Sequence, residues 1–144
     1  MKPREPRFLL TVAIALIVAA CGAVLAAGQE TAAEAAFTMQ QVTAGRAAFT
    51  KACASCHMPD LSGNNEVPAL AGASFTSTWG ARTTKELFDY MSGAMPPGGP
   101  ALSVESFESI VAYVLHTNGA LSGSSPLKAS ASVPIGRVVK ALQR

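Results

Sequence analysis

Histidine and cysteine are scarce in this chain: two histidines and three cysteines stand among 144 residues. There is no Ser/His/Asp grouping and no cluster of carboxylates beside a second histidine. A self-contained hydrolytic site therefore has no raw material. No apolar/polar alternation longer than a few residues appears, which argues against a sheet architecture. Charge is nearly balanced at a formal +2, so nothing calls for a nucleic-acid partner. Acidic residues are missing altogether from Ala120 onward, where Lys128, Arg137, Lys140 and Arg144 stand unopposed. The length allows one domain with appendages.

Two of the three cysteines fall in Cys53-Ala54-Ser55-Cys56-His57. This C-x-x-C-H run is the attachment signature of c-type haem. A short turn brings both thiols to one porphyrin edge for addition across the vinyl groups, and the adjacent imidazole swings beneath the iron. A structural zinc site needs four tetrahedral donors, and downstream only His116 adds a Cys or His. A thioredoxin-like redox pair would need neither His57 nor an export signal. With Cys53 and Cys56 committed to haem, no structural disulfide remains. The buried cofactor then supplies apolar surface to a core that is marginal alone.

Residues 1–27 read as a targeting segment. Lys2, Arg4 and Arg7 form a basic start, and Phe8 to Ala20 is apolar except for Thr11. Three fates stay open. Val18-Ala19-Ala20-Cys21 resembles a lipobox, which would make Cys21 an acylated N-terminus. Cleavage after Ala26 or Ala27 would discard Cys21. Phe8 to Ala27 is also long enough to remain as a membrane anchor. All three place the mature domain outside the cytoplasm, in the periplasm or anchored at the membrane, where bacteria attach haem.

Residues 28–41 read as an Ala-rich spacer, within which Thr38 and Gln41 suit a helix cap. The first helix then carries Val42, Gly45, Ala48, Phe49 and Ala52 on one face. Met58 to Ala73 holds Pro59, Gly63, Asn64, Asn65, Pro68 and Gly72 and reads as loop. Thr83 and Glu86 form a capping box for a helix from Thr84 to about Ser92, burying Leu87, Phe88 and Met91. Three prolines and three glycines break the chain between Gly93 and Pro100. Ser103 caps a last helix carrying Phe107, Ile110, Val111, Val114 and Leu115, with His116 on its exposed side and Asn118-Gly119 as its stop. Residues 120–144 read as a flexible basic tail, with a short amphipathic turn over Val133–Leu142 as the alternative. The expectation is an all-α domain over residues 42–119, about three main helices wrapped around one covalently bound haem.

From Val42 to Gly119 the chain resembles class I cytochromes c, and is similar to the small haem domains associated with quinoprotein (PQQ-dependent) alcohol dehydrogenases. Four blocks carry the resemblance. Gly45 and Phe49 match the helix positions that meet the last helix at Ile110 and Tyr113. Cys53 to His57 is the haem motif. Val67-Pro68-Ala69-Leu70-Ala71-Gly72 matches the segment whose proline carbonyl accepts the proximal imidazole Nδ1 proton, and Pro68 and Leu70 count as cofactor-binding. Met95-Pro96-Pro97-Gly98 matches the axial methionine loop, which implies His57 and Met95 as iron ligands and leaves Met91 to core packing. Trp79 faces a propionate or packs in the core, and Arg82 pairs with a propionate or is solvated.

A haem with both axial positions filled has no open site, and the methionine raises its reduction potential. The resemblance thus implies a one-electron carrier rather than an enzyme. Its donor would be a dehydrogenase, such as a quinoprotein, and its acceptor an oxidase or another redox protein. Two alternatives stand beside it: a haem subunit held permanently in a larger dehydrogenase or oxidase, and a haem enzyme or gas sensor in which Met95 dissociates.

Overall fold

The computed structural model describes residues 37–99 and 101–139. The targeting segment, Cys21 and residues 28–36 of the expected spacer lie outside them. Six helices are described: α1 (Met39–Ala52), α2 (Ala54–His57), α3 (Gly72–Trp79), α4 (Thr84–Ala94), α5 (Val104–Thr117) and α6 (Ile135–Val138). No strand occurs among the described residues, only an isolated bridge between Thr83 and Pro134.

The three long helices start where side chains satisfy their free amides. Thr38 and Gln41 form a reciprocal capping box at α1, Thr83 and Glu86 another at α4, and Ser103 accepts from Ser106 N–H at α5. Their buried faces then select the packing. α1 buries Val42, Gly45 and Phe49 against α5, which carries Ile110, Val111, Val114 and Leu115 in the core. At the crossing, Gly45 meets the backbone of Ser109 and the Cβ of Tyr113. One turn on, the Phe49 and Tyr113 rings lie 5.5 Å apart. On α4, Phe88 meets Phe107 of α5 edge to face at 6.2 Å. α5 ends at Asn118, and Gly119 takes φ 91° while its N–H reaches the His116 carbonyl, the left-handed stop that glycine allows.

Four expectations are corrected. Phe37 is fully buried and Met39 to Gln41 belong to α1, with Thr38 as its cap, so the domain begins before Val42. His116 is half-buried, its Nδ1–H donating to the Ala120 carbonyl and its ring edge-on to Phe37. The stretch read as loop up to Ala73 ends in α3, which buries Phe75 and Trp79.

The fourth concerns the tail. Residues 120–139 are a strap laid across the helices, not a free end. The Gln41 amide donates to the Leu127 carbonyl at 2.9 Å and accepts from its N–H at 2.7 Å. Buried Glu108 accepts from Ala129 N–H and faces Lys128 at 3.8 Å. Buried Thr84 donates to the Ala131 carbonyl and accepts from Val133 N–H. The amides of Ile135 and Gly136 then reach the carbonyls of Arg82 and Gly80. Leu127, Ile135, Val138 and Val139 are buried beneath this run. Polar composition suggested disorder, but these aliphatics, together with the backbone ties, outweigh the ordering entropy.

Candidate functional site

The chain kinks at Cys53 and resumes as the single turn α2, with the amides of Cys56 and His57 both reaching the Cys53 carbonyl. This turn sets Cys53, Cys56 and His57 along one cleft of about 450 Å³, a size suited to a cofactor. Cys53 and Cys56 form no disulfide with each other, and Cys53 is half-buried while Cys56 is exposed. Burial, and then the neighbouring Cys56, push the Cys53 thiol up.

His57 is 8% exposed, and its Nδ1 lies 3.0 Å from the Pro68 carbonyl oxygen. A carbonyl only accepts, so Nδ1 carries the proton and Nε2 is left free for a metal. The intervening loop is built to bring Pro68 there. Gly63 N–H bonds the His57 carbonyl, Leu70 N–H bonds the Leu61 carbonyl, and the Asn64 side chain accepts from the amides of Glu66 and Val67. Gly63 sits at φ 64° with the Val67 carbonyl where a side chain would begin, so glycine is required.

The apolar wall comes from Phe49, Phe75, Leu87, Ile110 and Val114, with Leu70 half-buried beside them. From the end of α4, Met91 and Met95 both reach the cleft. Met95 is the residue after the helix, its N–H on the Met91 carbonyl and its backbone extended into a cis bond to Pro96. Met91 is thus not simply core: it is half-buried and lines the same cleft. Trp79 is buried to 8% exposure and lines the cleft with its ring 5.4 Å from Tyr90; the Arg82 guanidinium lies 4.9 Å over the ring. Arg82 is exposed but stacked.

Cys53, Cys56, His57, Pro68, Leu70, Trp79 and Met95 therefore all meet at one cleft. Sequence reasoning missed Tyr90 as a wall residue. The signal was there, since Leu87, Tyr90 and Met91 share one helical face at i, i+3 and i+4. Among the described residues no three of His, Cys, Asp and Glu converge on one point. The residues fit a c-type haem: two thiols flanking one helical turn, one imidazole with the tautomer fixed, a thioether and an apolar wall. A second hollow of about 320 Å³ along Gly93–Gly99 has Met95 as its one ligating side chain and belongs to the same loop.

The family model described as Cytochrome C oxidase, cbb3-type, subunit III matches residues 40–114. Among solved structures the chain is similar to the sulfane dehydrogenase SoxCD from Paracoccus pantotrophus. The two share 29% identity with a TM-score of 0.52, over 66% of this chain and 54% of that one. The chain thus spans about half the length of the solved chain it matches. No curated protein sequence matches it.

Proposed function

The chain belongs to the cytochrome c family described as cbb3-type oxidase subunit III, and from that premise we propose that it is an extracytoplasmic one-electron carrier with a single haem c. Its fold is the all-α cytochrome c fold, and its domain class is electron transfer. Cys53 and Cys56 would hold the haem by thioether bonds, and His57 and Met95 would ligate its iron. The haem supplies a one-electron couple.

This chain's residues do the rest. Pro68 fixes the His57 ring and strengthens it as a donor. The wall from Phe49 to Val114 excludes water, and the proline-held loop presents the Met95 thioether. The single observation that carries this reading is His57, its Nδ1–H donated to Pro68, lining the same cleft as both thiols and Met95. In such a protein the haem survives acidified-acetone extraction, mass spectrometry of the mature chain shows one haem added, and the ferrous form does not bind CO. Extractable haem overturns the attachment. CO binding by the ferrous protein replaces the carrier with a sensor or enzyme in which Met95 leaves.

The similarity to SoxCD, which is a dehydrogenase, favours a dehydrogenase as the donor. It also supports a second reading, a haem subunit held in a larger dehydrogenase. Co-purification at a fixed ratio in size exclusion distinguishes that subunit from a free carrier. Export rests on residues 1–27, and the mass of the purified N-terminus decides among an acylated Cys21, a start at Ala27 or Gly28, and a retained anchor.

A further inference from the structure

The loop that carries Pro68 is tied almost wholly to itself. Its hydrogen bonds join His57 to Gly63, His57 to Pro68, Leu61 to Leu70, and Asn64 to Glu66 and Val67. Among the described residues, one side chain outside residues 57–79 bonds the segment 58–72. That side chain is Asn118. Its Nδ2 donates to the Leu70 carbonyl at 2.9 Å and to the Val114 carbonyl at 2.8 Å. Its Oδ1 accepts from Gly72 N–H at 2.9 Å.

A helix stop needs none of the loop contacts. Asn118 already closes α5 through its own N–H, which reaches Val114 and Leu115, and Gly119 supplies the left-handed residue. The two bonds to Leu70 and Gly72 do something else. They pin the exit of the loop to the end of α5, starting two residues beyond the carbonyl that holds the His57 ring. α5 is packed against α1, and α1 runs directly into the Cys53–His57 turn. Ring and acceptor are thereby referenced to one rigid pair of helices, the ring through α1 and the acceptor through Asn118.

We infer that Asn118 is a positioning residue for His57: it fixes the Pro68 carbonyl and so the orientation and donor strength of the imidazole. The consequence for iron rests on the proposed haem role; the consequence for the His57 hydrogen bond does not. In the haem-loaded full chain, Asn118→Ala is expected to speed solvent exchange of the His57 Nδ1 proton, followed by NMR. It should also shift the reduction potential upward, because a loosened carbonyl leaves the imidazole a poorer donor to ferric iron. Asn118→Asp keeps an acceptor for Gly72 N–H and loses the donor to Leu70. It should fall between wild type and Asn118→Ala, and it serves as the milder variant should the alanine form not fold.

Val111→Ala hollows the core away from the cleft and controls for lost stability alone: a lower Tm, with exchange and potential unmoved. If the Asn118 variants behave like Val111→Ala, Asn118 is a helix cap only and the inference is overturned. A wild-type chain without covalent haem overturns the functional reading instead. The exchange measurement, made on that haem-free chain, still decides for or against Asn118.

Discussion

A methyl group placed on Gly45 would fall well inside van der Waals contact distance of the Ser109 carbonyl oxygen. The α1–α5 crossing is therefore set by backbone-to-backbone contact, with Phe49 and Tyr113 filling the space one turn away. In an open helix, Gly45→Ala would gain about 0.5–1 kcal/mol from reduced backbone freedom. Here the obstacle is a helix backbone that cannot give way alone. The overpacking cost of about 1–3 kcal/mol or more outweighs the gain. The variant should unfold at lower urea concentration than wild type; an unchanged or higher midpoint would refute the close crossing.

Two methionines line the cleft, so the axial ligand is open to direct test. Met95→Ala should abolish the weak sulfur-to-iron absorption of the ferric protein and lower the reduction potential, because thioether ligation raises it. Met91→Leu conserves volume and should cost less than about 1.5 kcal/mol while leaving the absorption in place. Loss of the band in Met91→Leu and its survival in Met95→Ala would reverse the assignment.

The α4 capping box has a signature in acid. Bonds from Thr83 N–H, and then from the Thr83 hydroxyl, hold the Glu86 carboxyl below the usual carboxylate range. A depressed folded-state value means that its stabilisation is complete above the unfolded value and is lost as pH falls through the folded one. Glu86→Gln keeps the cap without the titration. The Tm difference between the two proteins, followed from neutral pH to about pH 3, should change in favour of the glutamine variant as acid is added. A difference constant with pH would show that the Glu86–Thr83 bonds are not formed in solution.

The strap is tested at its anchor. Leu127 is 2% exposed, and its backbone is held from both sides by Gln41. Leu127→Ala should destabilise by about 2–4 kcal/mol, as truncation of a buried leucine does. A flexible tail would tolerate the change, so a Tm equal to wild type would restore that reading.

What could be read beforehand follows from how local the signal is. Thr38, Thr83 and Ser103 announce their helices because a cap acts within three residues. The haem motif and the glycine at the crossing are equally local. α3 was hidden because no side chain caps it, and its Ser and Thr residues are weak helix formers. In the fold those hydroxyls turn back on their own helix, Thr76 onto Gly72 and Thr78 onto Ser74. The strap was hidden for a different reason. Ile135, Val138 and Val139 do stand at i, i+3 and i+4, the amphipathic turn seen as α6, but Leu127 belongs to no period and the partners of the strap lie far away in sequence. Asn118 carried two roles at once, and the helix stop accounted for it without the loop.

Gln41 and Leu127 are separated by 86 positions and Thr84 and Ala131 by 47. Closing so long a loop costs little more than closing a short one, since the entropy grows only with the logarithm of length. Its effect on timing is larger, because distant contacts form late. The strap is also made after the rest of the described domain. Until it docks, the carbonyls of Gly80 and Arg82 lack their partners and the wall that bears Trp79 is not latched. The cysteine motif, made 70 or so residues earlier, emerges first. The order of residues along the chain thus completes the cysteine motif before the segment that ties the carbonyls of Gly80 and Arg82 has arrived.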